Sequence, residues 1–455
     1  MDSTRGVAVK EPISTTNACR MCMPLGASLA FAGVEGALSF LHGSQGCSTY
    51  IRRYLISHFN EPLDIASSSF GESATVFGGQ ANLHAGLRNV ISGYRPQLIG
   101  VATTCLTETI GEDVVAMLRA FAAEPAEGEL PALVPVATPS YAGTHADGYQ
   151  AAAAALVATL AAGGPRGDGV ALLPGIVSAA DLRELADLSA AFGLSATVVP
   201  DYSDTLDGPA SAEYRKIPLG GTPLAAIRAL GRVRAAAQLG GLVSPGVRTA
   251  GDELESRFQT PVERLPLPIG LRLTDRFTAV LSQWSGQPLP PRLAAQRGRL
   301  IDAYVDGHKY LAGRRAIVFG DEDLVLGLAT FLAEIGLQPV LCAGGGRSGR
   351  LARAIAAAAP ELADVPVMQD ADFDKLRATA LEVGADVLVG HSKGYALARE
   401  LGLPLVRVGL PIHDRLGGQR LLHLGYRGAQ ELFDRLVNTL IERAQDASPV
   451  GYSYM

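Results

Sequence analysis

Short apolar runs rich in β-branched residues alternate along the 455-residue chain with Ala- and Leu-rich stretches of helical length, the pattern of parallel sheets covered on both faces. Leu98–Ala102 reads as a strand that feeds a polar turn, Thr103 to Thr107, with a helix following from about Gly111 to Phe121. Val170–Leu173, a helix opened by the pair Ser178 and Asp181, and Ser195–Val199 make one β-α-β unit. A helix is expected around Thr222 to Leu239. After it, prolines from Pro245 through Pro261, Pro266 and Pro268 to Pro288, Pro290 and Pro291 interrupt regular structure, and a domain connection is placed there. The last third is the most regular, with strands at Ala316–Phe319, Pro339–Cys342, Val365–Met368, Val387–Val389 and Leu405–Val408, then a final helix from about Gly428 to Arg443. The expected class is α/β, with three Rossmann-like doubly wound domains and mainly parallel sheets, divided at 1–165, 166–300 and 301–455.

An apolar content of 48% can fill a core in each domain. The net charge of −6, with no long run of Lys or Arg, excludes the electrostatic footprint of a nucleic-acid binder or a membrane-surface protein. The N-terminal stretch from Met1 to Ala18 carries no apolar segment before a small-residue cleavage site, so a cytoplasmic location is expected. The run Ala151 to Ala162 is too short to cross a bilayer and reads as a buried helix.

Five cysteines, Cys19, Cys22, Cys47, Cys105 and Cys342, are an odd number in a large chain of this kind, which argues for metal, redox or packing roles over a disulfide framework. Cys22 precedes Pro24-Leu25-Gly26, Cys47 closes His42-Gly43-Ser44-Gln45-Gly46, and Cys105 stands among threonines, each on or beside a loop. Thiolates are soft ligands, and small neighbours let a backbone approach a bulky cluster. Cys19-x-x-Cys22 could open a zinc site, but no second pair follows it. The alternative is that these thiols are small buried hydrophobes, a reading that suits Cys342 at the end of an apolar strand best.

The segments Cys22-Met-Pro-Leu-Gly-Ala27, His42 to Cys47, Ser57-His-Phe-Asn-Glu-Pro62, Val76-Phe-Gly-Gly-Gln80, Thr103-Thr-Cys105, Ile110-Gly-Glu-Asp113 and Thr138-Pro-Ser140 resemble, in order and spacing, the β-type subunits of nitrogenase component 1 and their relatives. Gly220-Gly-Thr222, Leu300-Ile-Asp302, Pro411-Ile-His-Asp-Arg415 and Leu424-Gly-Tyr426 continue the similarity over nearly the whole chain. The resemblance implies three Rossmann-like domains, a homologous α-type partner in an α2β2 heterotetramer, and an iron–sulfur cluster shared between the chains. It implies that Cys22, Cys47 and Cys105 ligate a P-cluster-type eight-iron, seven-sulfur cluster, or alternatively a 4Fe–4S cluster. Ser140 matches a serine that can add to the oxidised cluster, against a plain turn-capping role. Phe77 matches a surface residue near the dock of an ATP-dependent iron protein, against a plain core phenylalanine. Against molybdenum nitrogenase β subunits the chain lacks a long N-terminal extension and adds Cys19, and Asp201-Tyr-Ser-Asp-Thr-Leu-Asp-Gly208 and the tail from Val450 to Met455 resemble a branch holding nitrogenase-like reductases and cofactor-assembly scaffolds. The favoured expectation is the β-type subunit of a methylthio-alkane reductase, relaying electrons to a cofactor in the α-type partner. The alternative is the N-type scaffold subunit.

Gly344-x-Gly346-x-x-Gly349, with Asp370 on the next strand, has the layout of a dinucleotide fingerprint and leaves a nicotinamide-dependent dehydrogenase as a weaker alternative. None of the histidines forms a ligand pair at helical spacing. His42 is expected to support the cluster loop by hydrogen bonding. Glu108, Glu112 and Asp113 are expected to favour the positive end of the helix after Cys105.

Overall fold

The computed structural model describes residues 18–125 and 128–451. The expectations drawn from the first 17 residues and from the last four of the tail lie outside these. Three sheets, every strand pairing parallel, run in sequence along the chain. Parallel strands are buried on both faces, and the central ones accordingly read as apolar runs, Val170–Pro174 throughout and Arg315–Gly320 after its exposed first residue.

The first sheet is ordered Ile65–Ser67, Ala37–His42, Leu98–Thr103, Ala132–Val136. The order in which strands are added reverses between the parallel neighbours Ala37–His42 and Leu98–Thr103, so a crevice opens beyond the carboxyl ends of those two strands. The second sheet repeats this order with Ala196–Val198, Val170–Pro174, Ala235–Leu239 and Val262–Leu265. The third holds five strands, Val367–Met368, Gln338–Gly344, Arg315–Gly320, Val387–Gly390 and Leu405–Arg407. The Ser178 hydroxyl accepts from the Asp181 amide at 2.9 Å, capping helix Ala179–Ala191.

Two expectations need correction. The segment expected as one helix from Thr222 to Leu239 is a short helix, Leu224–Ala229, a turn, and then the central strand Ala235–Leu239. Ala-Ala-Ala-Gln-Leu favours a helix by propensity, but burial between two neighbouring strands decides its state, and small side chains suit that position. The proline-rich stretch is also more regular than expected. It carries helices Gly270–Ser285 and Pro291–Leu311, the second opening on the proline at its first position, where no amide is needed. Helix Gly425–Asp446 packs on both.

Helix Met23–Ala32, which starts at Cys22, lies against helix His145–Leu160 at a separation that only glycine allows. A Cβ on Gly26 would run into the His145 carbonyl, and one on Gly148 into that of Met23. Ahead of this helix the chain joins the third sheet: Ala18 bridges Asp372, the Cys19 amide donates to the Ala371 carbonyl at 2.9 Å, and Cys19 packs among Ile317, Phe319 and Leu341.

Candidate metal centre

The crevice of the first sheet gathers the sequence-selected residues. Helix Gln45–Phe59 follows strand Ala37–His42 and carries Cys47 in its first turn. Cys105 is the first residue of a short helix, Cys105–Ile110, directly after strand Leu98–Thr103. This corrects the expected turn and single helix: Gly111, at φ 77°, ends the short helix, and a second one, Val114–Ala122, starts after Asp113. Ser140 follows strand Ala132–Val136, and Cys22 caps a helix whose N-terminus lies at the same edge.

Hydrogen bonds tie these segments together. The Ser140 amide donates to Cys105 Sγ at 3.2 Å, and the Ser140 hydroxyl accepts from the Met23 amide at 3.2 Å, joining the Cys105 and Cys22 segments. The Ser140 hydroxyl therefore engages the Cys22 segment. Ser44 Oγ lies 3.8 Å from Cys47 Sγ. Burial pushes the Cys22 thiol up to about 11; the Leu25 amide opposes this, while Cys47 and Cys105 lie near enough to push it further. Thiolate ligands set near one another call for a cationic centre between them, which iron would supply. Among the described residues no three His, Cys, Asp or Glu side chains come close enough to hold a single metal ion. The donor set fits a cluster of several irons, each thiol reaching a different part of it, better than one zinc-type ion.

The supporting residues were only partly visible in the sequence. Buried His42 pairs through Nδ1 with Ser68 Oγ at 3.1 Å and through Nε2 with Glu112 at 2.5 Å, so both nitrogens are engaged by protein. Its carbonyl accepts from the Thr104 amide at 3.1 Å and the Thr107 hydroxyl at 3.0 Å, fastening the Cys47 loop to the Cys105 helix. A Cβ on Gly43 would enter the Thr104 side chain, which explains the glycine after His42. Of the three acids after Cys105, Glu108 accepts from the Thr103 hydroxyl at 2.5 Å, Glu112 turns back to His42, and Asp113 caps the next helix through the Ala116 amide at 2.9 Å. Glu108 stands in the first turn of the helix that Cys105 opens and Asp113 at the N-terminus of the next, so the dipole role expected of all three is corrected for Glu112 alone.

The distant motif at Pro411 to Arg415 also serves this site. The Ile412 amide donates to His58 Nδ1 at 2.9 Å and His413 Nε2 lies 3.2 Å from the Tyr54 carbonyl, clamping the helix that carries Cys47. Burial, with His413 next, holds His58 down at about 3, so the folded chain stays unprotonated there while the unfolded chain takes a proton below about pH 6.5. Its contribution is present above that pH and is lost as pH falls toward 3. Burial of His145, at about 3, and of His391, at about 4, acts in the same direction. Asp321 and Glu322, raised by burial to about 7, act oppositely, retaining protons that the unfolded chain sheds near pH 4. His58→Gln is expected to flatten the acid limb of stability by up to about 1.4 kcal/mol per pH unit between roughly pH 3 and 6.5, read from urea unfolding across pH.

The other sequence candidates fall elsewhere. Cys19 and Cys342 are buried against and within the third sheet, where burial pushes each thiol up to about 12. Cys19 Sγ lies 3.5 Å from His391 Nε2. In the Gly344–Gly349 loop, Glu322 occupies the approach to Gly344 and Gly346 and accepts from the Ser348 amide at 3.2 Å, while Arg347 pairs with Asp370. Protein groups thus take the place where a pyrophosphate would bind. Phe77 is 88% exposed and Val76 74%, so Phe77 is no core residue. No described helix is long and apolar enough to cross a membrane.

An α/β chain of three parallel sheets with thiols at the switch point of the first is a recognisable class, and the sequence model of nitrogenase component 1 type oxidoreductases matches residues 22–441. The chain belongs to that family, as a β-type subunit. It is 33% identical to the nitrogenase molybdenum-iron protein beta chain of Clostridium pasteurianum, over 98% of this chain and 97% of that one. Identity is 36% to the corresponding chain of Methanothermobacter thermautotrophicus (97% and 96% covered) and 33% to the vanadium-iron protein beta chain of Trichormus variabilis (96% and 96%). The solved structure of nitrogenase Cp1 at pH 6.5 matches with a TM-score of 0.93 at 32% identity, covering 99% of this chain and 98% of that one. A chain of nitrogenase Cp1 at pH 5, at 15% identity and a TM-score of 0.72, shares the fold.

Proposed function

We propose that this chain is the electron-relay subunit of a nitrogenase-like reductase, holding a P-cluster-type iron–sulfur cluster through Cys22, Cys47 and Cys105 at its boundary with an α-type partner. The observation that carries this reading is the convergence of the three thiols on one crevice, with Cys105 exposed and Cys22 and Cys47 only half-buried. A thiol set open to the surface is completed by ligands from a second chain, which accounts for the pairing of this chain with its α-type partner within the α2β2 assembly. The cluster supplies stepwise electron storage and transfer. The chain's own residues fix the geometry: the Ser140 amide points at the Cys105 sulfur, the interaction that tunes a cluster's potential, the Leu25 amide closes the turn after Cys22 on the Cys22 carbonyl, and Ser140 Oγ stands beside the Cys22 segment, where it would add a ligand to an oxidised cluster.

An ATP-dependent iron protein docks at the exposed Val76–Phe77 surface. Two large apolar side chains projecting from a six-residue helix beside the crevice are the kind of anchor that a transient partner buries. Phe77→Asp is expected to weaken iron-protein binding by about tenfold or more and to leave the iron content of the complex unchanged, as read by titration and metal analysis.

The substrate acted on in the partner is a small organic sulfide of the methylthio-alkane class, a reading supported by the complete thiol set and by the sequence's likeness to that branch. The purified complex with its iron protein and ATP is tested for reduction of dimethyl or ethylmethyl sulfide; no reduction of either rejects this substrate. Iron counted per heterodimer separates the reductase, with about eight atoms in the relay cluster, from the assembly scaffold, with about four.

A further inference from the structure

Between the exposed Val76–Phe77 surface and the cysteine loops lies one buried carboxylate. Glu112 Oε1 accepts from the Gly79 amide, two residues beyond Phe77, and Oε2 accepts from His42 Nε2 at 2.5 Å. The Glu112 side chain is 5% exposed. From His42 the bonds continue to both cysteine segments, through its carbonyl to Thr104 and Thr107 beside Cys105, and through Ser68, whose hydroxyl accepts from the Gly43 amide at 2.9 Å at the head of the Cys47 loop. Phe70 closes the hub. Its ring meets His42 edge-on at 4.9 Å, its amide donates to the Gly43 carbonyl at 3.0 Å, and it lies so close to Gly79 that a Cβ there would enter the ring. On the other side Gly78, at φ 92°, gives the segment a backbone conformation open mainly to glycine.

We propose that Glu112 is a positioning residue that transmits occupancy of the Val76–Gly79 surface to the loops carrying Cys47 and Cys105. A docked partner pressing on Phe77 shifts the Gly79 amide, the carboxylate follows because both its oxygens are committed, and His42 passes the movement to the backbone on either side of the crevice. A carboxylate suits this role because two donors face it from opposite sides. An amide side chain presents one acceptor oxygen, so Gln in its place can accept from Gly79 but meets His42 only by donating to its other tautomer, a weaker neutral contact in place of the charge-assisted one. Phe70 limits alternative packing, so the coupling runs through the hydrogen bonds more than through loose contact.

This inference rests on the reading of Phe77 as the docking site and of the three thiols as cluster ligands. The experiment compares the intact complex with its Glu112→Gln and Phe77→Asp variants by hydrogen exchange, with and without the iron protein held by a non-hydrolysable ATP analogue. In the parent complex, docking is expected to slow exchange at amides 42–47 and 104–107 as well as at 76–79. In Glu112→Gln the slowing at 76–79 persists while that at 42–47 and 104–107 falls by at least half, and the docking-dependent shift in the cluster's reduction potential shrinks with it. A merely structural Glu112 would alter exchange in the undocked complex and leave the docking-dependent difference intact, an outcome that overturns the proposal. So does a parent complex whose cysteine loops do not respond to docking. If Phe77→Asp binds the iron protein as tightly as the parent, the docking reading fails first, and that result is distinct from either of the others.

Discussion

Cys47→Ala is expected to remove more than half of the iron from the purified complex and to loosen the association of its two chains. The thiol sits in the first turn of a helix clamped by the Ile412 amide and by His413, so the backbone holds its place after the substitution and only the ligand is lost. A cluster shared by two chains is both cofactor and crosslink, and removing one anchor weakens metal binding and assembly together. Cys342→Ala is the matched control. That thiol is buried in the third sheet with no polar partner among the described residues, and its loss is expected to cost about 1 kcal/mol of stability while iron content stays at the parent level. Metal analysis and sedimentation of both variants decide the matter: full iron in Cys47→Ala defeats the ligand assignment, and equal iron loss in both shows that the metal responds to general destabilisation.

The contrast between those two cysteines shows what the sequence made legible. Cys342 stood at the end of an apolar strand and Cys47 among glycines, and the structure puts the first inside a core and the second at a crevice mouth. The strands of the last third were readable for the same reason, since short, β-branched apolar runs bounded by turn residues are too brief for a buried helix and suit a buried strand. Strand Ala235–Leu239 was not readable, because alanine carries no β preference and its state is set by neighbours that lie tens of residues away in the chain. Glu112 was misread for a related reason. Its position after Cys105 suggested a helix-dipole role, whereas its partners His42 and Gly79 lie 70 and 33 residues away, a separation that no local pattern reports.

The glycines at the helix pair beneath Cys22 carry the second large effect. Gly26→Ala is expected to cost about 3 kcal/mol of stability and to lower iron content as well. Helix Met23–Ala32 is pinched on two sides: Gly26 and Gly148 let it touch the backbone of helix His145–Leu160, and Gly100 of the central strand lies flat against the Phe31 ring, where a Cβ would collide with the ring carbons. The atoms opposite Gly26 are a backbone carbonyl and a backbone amide, so no side chain can swing aside, and the strain has to be met by moving a helix. The helix that moves begins at Cys22, and its first amide, on Met23, is bound to Ser140, so the displacement reaches two residues of the metal centre. Gly93, near the end of helix Gln80–Tyr94 with open space around it, provides the comparison, since alanine there should stabilise the helix by about 0.5–1 kcal/mol. Thermal unfolding and iron content measured on both variants test the account. A Gly26→Ala complex that unfolds with the parent and keeps its iron would mean that the two helices can separate freely, and that the glycine in the Cys22 motif is there for some reason other than close backbone contact.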